Sequence, residues 1–200
     1  MFPDFFRDDV FRIETQRLWL RWPAAADAAQ IEKFAGEAQV AQWTAHIPHP
    51  YPPGAAERFV VAARQANLDG GALNMALALR TRPQSLIGMI SLEAHEATAI
   101  VGYWLGQPYW GAGLMAEAVR ELTWLVWLTT DIDRVIADIM IGNARSRDVL
   151  LACGFASTGD SACTAPARGG QIAAERFELL RPQREAGLPF SARDRTLQPT

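Results

Sequence analysis

Lysine is nearly missing from this chain. Of 19 basic residues only Lys33 is a lysine, which we read as composition bias and not as function. Positive charge is not in excess either, since the formal net charge is -3 at pH 7. A nucleic-acid binder normally shows a basic patch or stripe, so that class is set aside. Cysteine is scarce: Cys153 and Cys163 form no ligand cluster, and a reduced, cytoplasmic setting is expected. Long apolar runs are missing too. The most apolar stretch, "LTWLVWLTT" at 122–130, falls far short of the ~20 residues needed to cross a bilayer. "MFPDFFRDDVFRIE" carries acids where a signal peptide would carry positive charge. A protein without nucleic-acid or membrane partners is expected, monomeric or a homodimer.

What is present is an alternation of short apolar elements without internal repeat. "RLWLRW" (17–22) alternates as a strand does, and "DAAQIEKFAG" (27–36) reads as a helix closed by Gly36. "QWTAHIPHPYPP" (42–53) is a proline-rich loop, and a helix follows over 54–71. Strands are predicted at 74–80, 86–93 and 98–106. "LMAEAVRELTWLVWL" (114–128) is a long amphipathic helix, with Leu114, Ala118, Leu122, Leu125 and Val126 on one face. "RVIADIMI" (134–141) is a strand, 144–155 a helix closed by Gly154, 161–171 a flexible loop and 173–180 a last strand. The order β-α-α-β-β-β-α-β-α-β predicts an α/β (α+β) fold with a mixed sheet. One domain over 1–182 is expected, with a polar tail over 183–200.

The stretch "YWGAGLMAEAV" (109–119) places two glycines just before the long helix. Gly111-x-Gly113-x-x-Ala116 formally matches a dinucleotide fingerprint, with Asp131 as the distant acid. The context does not fit. "GQPY" separates the glycines from the preceding strand, and Asp131 precedes the next strand where the fingerprint needs it at the far end. No Gly-Lys-Ser/Thr follows for a P-loop. A plain strand-to-helix crossover remains possible for the pattern alone. An anion site is also open, because free N–H groups at a helix start attract phosphate.

Three motifs together resemble the GNAT superfamily of acetyl-CoA-dependent N-acyltransferases, in the branch that includes the RimJ/RimL ribosomal-protein acetyltransferases. "TQRLWLR" (15–21) is similar to that branch's T-x-R-L-x-L-R. "IVGYWLGQPYWGAGLMAEAV" (100–119) is similar to its G-Y-W-L…Y-W-G-x-G-x-x-x-E-A, and "IGNARSRDVLLACGF" (141–155) to its N-x-x-S…G-F. The resemblance spans about 12–180 and implies a mixed, mostly antiparallel, twisted sheet flanked by helices. It implies acetyl-CoA as co-substrate, with its pyrophosphate on the backbone amides of Trp110, Gly111, Ala112, Gly113, Leu114 and Met115. It also implies that the strand at Trp104 and Leu105 pairs with the pantetheine arm. The family loop reads Q/R-x-x-G-x-G/A; here Trp110 and Met115 stand at its ends, so no Arg helps from the first position.

Acetyl transfer to an amine needs a neutral acceptor held near the carbonyl, a donor for the oxyanion, and help for the departing thiolate. Asn143 is a favoured helix cap with Ser146 at N3, which suits both plain capping and a place beside the pantetheine end. Many relatives carry a Tyr where Leu150 stands, and in the N-x-x-S branch the serine is the proposed substitute, here Ser146. Glu93 and His95 follow the strand "LIGMISL" and are candidate bases, although "EAHE" also reads as a solvated turn. Trp43, His46, Tyr51 and Tyr103 are candidates for the acceptor side, against a reading of 42–53 as a stiff surface loop. His46 and His49 lack a third ligand, so no metal site is expected. The acceptor would be a protein N-terminus or a small amine such as a polyamine or antibiotic. A non-catalytic acyl-CoA-binding or interaction module on the same fold stays open.

Overall fold

The computed structural model describes residues 1–182; the polar tail expected at 183–200 lies outside them. The strands are β1 (Arg12–Glu14), β2 (Leu18–Arg21), β3 (Ala72–Leu79), β4 (Arg82–His95), β5 (Thr98–Leu105), β6 (Arg134–Met140), β7 (Ala156–Ala165) and β8 (Gly170–Leu180). They form a single sheet in the order β1-β2-β3-β4-β5-β6-β8-β7. Among the described residues only the β5–β6 pair is parallel. The helices are α1 (Ala28–Ala35), the single turn α2 (Ala38–Ala41), α3 (Ala55–Asp69), α4 (Leu114–Thr129) and α5 (Ala144–Ala152). This is the mixed, mostly antiparallel, helix-flanked sheet that the resemblance implied.

Strand alternation sends residues to two opposite cores. Leu73, Met75, Leu77, Ile90, Leu92, Val135, Ala137 and Ile139 join α4 residues such as Leu114, Ala118, Leu122 and Val126 in one apolar cluster. Those four helical residues recur every fourth position, so a single stripe of α4 is buried on the sheet. On the other face Ala76, Leu86 and Met89 pack against Ile31 and Phe34 of α1 and Ala56 and Val60 of α3.

The sequence expectation departs from the structure at the C-terminal end. Residues 161–171, expected as a flexible loop, contain the end of β7, a short 3₁₀ turn at Pro166–Arg168 and the start of β8. β7 is mostly exposed, so it carries no apolar alternation that could announce it. Its existence rests on pairing with β8 from Ala156↔Glu178 to Ala165↔Gly170. β1 is likewise a short edge strand, held by β2.

One break in the sheet matters for function. β5 and β6 share only the rungs Thr98↔Arg134, Ala99↔Val135 and Ile100↔Ile136, although both strands continue. Beyond Ile100 they part, and among the described residues the β6-facing edge of β5 from Val101 to Leu105 has no neighbouring strand. Each lip of this opening leads into a helix start: β5 into α4, and β6 into α5.

Candidate active site

The first lip is the glycine loop. Gly111 and Gly113 have φ of 76° and 69°, the left-handed region that costs side-chain-bearing residues. Gly113 is the residue before α4, and the first helical bond runs from the Glu117 N–H to its C=O at 3.1 Å. The N–H groups of the first turn therefore have no helical acceptor, and the positive end of the helix dipole lies there. A Cβ on Gly111 would meet nothing within 4 Å, so the loop borders open space that a side chain would begin to fill. Those features fit a phosphate group.

Of the six residues expected to cradle a phosphate, Trp110 differs from the rest. Its amide N–H donates to the Gln107 C=O at 3.2 Å, so it is already used. Its indole N–H donates to the Leu105 C=O at 2.7 Å. Leu114 and Met115 are buried at 6% and 5% exposure, so only their backbone is available to a ligand.

A latch that the motifs contain, but to which the sequence reading gave no role, sets this loop in place. Glu117, in the first turn of α4 and 8% exposed, accepts hydrogen bonds from the Thr15 hydroxyl, the Arg17 N–H at 2.8 Å and Arg17 Nε at 2.6 Å. Arg17 Nη1 also donates to the Ala112 C=O at 2.7 Å. In a trans peptide the C=O and following N–H point oppositely, so this bond aims the Gly113 N–H away from Arg17. Burial pulls the Glu117 pKa up, but the hydrogen bonds from Thr15 and Arg17 outweigh it and hold the carboxyl below its ordinary value. Thr15, Arg17 and Glu117 stand inside the first two family-like motifs, which was the available signal.

The second lip is the start of α5. Asn143 caps it as the sequence suggested: its Oδ1 accepts from the Ser146 N–H at 3.2 Å. The Ser146 hydroxyl lies 2.9 Å from the Tyr103 hydroxyl, which is also 3.2 Å from the Ser146 C=O. Burial pushes the Tyr103 pKa well above its ordinary value, against the opposing hydrogen bond from Ser146. Tyr103 is thus a protonated phenol throughout the physiological range. Leu150, where many relatives carry a Tyr, is fully buried in the core.

Strand parity separates Tyr103 from Trp104. Tyr103, expected on the acceptor side, packs against the α4–α5 cluster and reaches Ser146. Trp104, expected only as a backbone contact for pantetheine, packs on the opposite cluster with Ile47 and Tyr51. The loop 42–53 is therefore on that face. It is tied down by Arg168, which donates to the Thr44 C=O at 3.2 Å and to the Ile47 C=O, and by the Ala167 N–H to the Ala45 C=O at 3.1 Å. Trp43 lies over the turn into α5, where a Cβ on Gly142 would sit 3.6 Å from its ring. Burial, with Glu32 and Glu57 nearby, raises the Tyr51 pKa against the pull of Arg58. His46 is exposed, and His49 Nδ1 bonds the Gly36 C=O at 2.9 Å.

Glu93 and His95 are not brought to the opening. They pair with Ile100 and Thr98, where β5 and β6 are still joined. Their side chains are 64% and 54% exposed and contact each other at 3.2 Å. Glu93 lies four residues, roughly 13 Å, along β4 from Met89, the partner of Trp104. The two-residue turn at Glu96 and Ala97 fixes their pairing with β5, but that β6 joins at this same end depends on long-range pairing and could not be read locally. Another carboxylate, Asp138 on β6, is held by Arg176 at 2.8 and 2.7 Å. Those hydrogen bonds from Arg176 lower its pKa despite partial burial. Among the described residues no group of three His, Cys, Asp or Glu side chains could hold a metal ion, and no helix is long and apolar enough to cross a membrane.

Comparison with known proteins agrees with this fold. YdaF of Bacillus subtilis (strain 168), described as a ribosomal N-acetyltransferase, is 33% identical over 78 residues, covering 38% of this chain. The match spans 43% of that protein's length. A Vibrio cholerae protein described as a ribosomal-protein-serine acetyltransferase superposes with a TM-score of 0.75 at 24% identity, covering 86% of this chain and 99% of that one. A RimL ribosomal-protein acetyltransferase in complex with coenzyme A superposes at 0.71 with 19% identity, covering 85% and 98%. At such identities these two likenesses are of fold. Residues 17–156 match the acetyltransferase (GNAT) domain family. With that match over more than half its length, the chain belongs to the GNAT acetyltransferase family, a family of acyltransferase enzymes.

Proposed function

We propose that this protein transfers an acetyl group from acetyl-CoA to the α-amine of a protein N-terminus. The observation that carries the reading is the opening between β5 and β6, with the glycine loop on one lip and the Asn143-capped start of α5 on the other. The N–H groups from Gly111 to Met115 would receive the pyrophosphate. The unpaired edge of β5 at Val101 to Leu105 would hold the pantetheine arm, as a neighbouring strand would. Ser146 would lie at the thioester end. There its hydroxyl donates to the sulfur as the C–S bond breaks, while its oxygen accepts from the Tyr103 phenol.

The acceptor would enter on the opposite face, past Trp104, Tyr51 and Trp43. Two considerations favour an N-terminal α-amine there. The named activities of YdaF and of the Vibrio cholerae and RimL proteins concern ribosomal or protein acceptors. In addition, Glu93 and His95 sit at the joined end of the sheet and Asp138 is held by Arg176. An α-amine, with a pKa of about 7.7–8.0, is partly neutral without a strong base, whereas a lysine amine at about 10.4 is not.

The test is release of free CoA from acetyl-CoA with a panel of N-terminal peptides, lysine peptides with blocked N-termini, polyamines and aminoglycosides. Acetylation of an α-amine, located by mass spectrometry, supports the reading. Turnover confined to small amines rejects the acceptor class. CoA binding without turnover on any amine points to a non-catalytic module.

A further inference from the structure

The glycine loop lacks a cation where the family pattern carries Gln or Arg, because Trp110 stands there. That indole is fixed by its bond to the Leu105 C=O. Over its ring lies the guanidinium of Arg145, with Cζ 4.5 Å from the centroid. Arg145 is the second residue of α5 and so belongs to the other lip of the opening. The stack spans the two lips.

The arginines around the loop are not equivalent. Arg17 is paired with Glu117, Arg147 lies 3.5 Å from Glu175, and Arg120 donates to the Ala152 C=O at 3.3 Å. Arg145 is exposed, and among the described residues it has no carboxylate within ion-pair distance. Among the described residues it contacts the Trp110 ring, and none of its N–H groups donates to a protein carbonyl or carboxylate. Its N–H groups, without a protein acceptor among the described residues, form the fork that suits a phosphate oxygen pair. The backbone cradle supplies only partial charges, equivalent to about half a charge at the helix end. A pyrophosphate brings more negative charge than that.

We propose that Arg145, held on the Trp110 ring, is the cation for the pyrophosphate of the acyl-CoA, supplied from the α5 lip in place of the missing loop arginine. The inference rests on the acyl-CoA reading of the opening. It assigns Trp110 a task other than amide donation, and it makes the two lips close on one ligand.

Calorimetric titration tests it with CoA, 3′-dephospho-CoA and acetyl-pantetheine, the last lacking the pyrophosphate. Arg145→Ala should weaken CoA by roughly 10- to 50-fold, with the melting temperature unchanged because the side chain is exposed. The same loss should appear with 3′-dephospho-CoA and vanish with acetyl-pantetheine. The salt dependence of CoA binding should become shallower. Arg145→Lys, which keeps the charge without the fork, and Trp110→Ala, which removes the platform, should each give intermediate losses. If folded Arg145→Ala binds CoA as tightly as wild type, the inference fails while the acyl-CoA reading stands. If the loss disappears with 3′-dephospho-CoA, the guanidinium serves the 3′-phosphate and the proposal is overturned. If wild type itself binds no CoA, the acyl-CoA reading fails, and the inference with it.

Discussion

The hydroxyl oxygens of Tyr103 and Ser146 stand 2.9 Å apart, across the seam between β5 and α5. Burial keeps the phenol protonated. Either hydroxyl can donate in this pair, and when the phenol donates to Oγ the serine proton is free to point elsewhere. On the proposed mechanism Ser146→Ala should lower kcat by roughly 10- to 100-fold with CoA affinity nearly unchanged. Tyr103→Phe should lower kcat by less, about 3- to 10-fold, because Ser146 stays in place. Steady-state CoA release beside calorimetric CoA binding checks both. Unchanged kcat in Ser146→Ala would return that residue to a first-turn helix role.

Gly113 has φ of 69°, and a Cβ there would sit 3.6 Å from Arg17 Nη2. Gly113→Val should weaken CoA at least tenfold by disturbing the N–H cradle. It should also cost about 1–2 kcal/mol of stability from the left-handed backbone. Titration with CoA and thermal melts separate the two effects. A folded variant with wild-type CoA affinity would remove the loop from the binding site.

Glu117 gives a pH dependence with a definite sign. Its folded pKa lies below the ordinary value of 4.5. Its contribution to stability is therefore fully present above pH 4.5 and is lost as pH falls through the lowered folded value. Glu117→Gln should destabilise the protein by about 1–3 kcal/mol at neutral pH, since Thr15 and Arg17 lose an ionised partner. The variant should also show a flatter fall in melting temperature below pH 4.5. Parallel pH profiles would reject the latch as the source.

Arg168 holds the 42–53 loop through the Thr44 and Ile47 carbonyls, far along the chain. Arg168→Ala and Trp43→Ala should raise the acceptor KM by roughly 3- to 20-fold, with CoA affinity within twofold of wild type. Initial-rate kinetics with both substrates varied measure this. Equal loss of both affinities would make the loop a general support.

The sequence by itself determined the elements whose signal is local. The fourfold spacing of Leu114, Ala118, Leu122 and Val126 marks α4, and the glycines before it mark its turn. Asn143 marks the cap of α5, and the alternation of 134–140 marks β6. Each follows from a period of 3.6 or 2, or from one residue's backbone preference. What only the tertiary structure decided depends on pairing between distant segments. β7 is too exposed to show a pattern and exists through β8. Arg17 meets Glu117 across 100 residues of chain. Arg145 meets Trp110 only because β5 and β6 part and set two helix starts on facing lips. Strand register sends Tyr103 to Ser146 and Trp104 to the face of the 42–53 loop, and leaves Glu93 and His95 at the joined end. A shift of one residue would reverse those sides; the turn at Glu96 and Ala97 fixes the β4–β5 register, whereas the end at which β6 joins is set by pairing between distant segments.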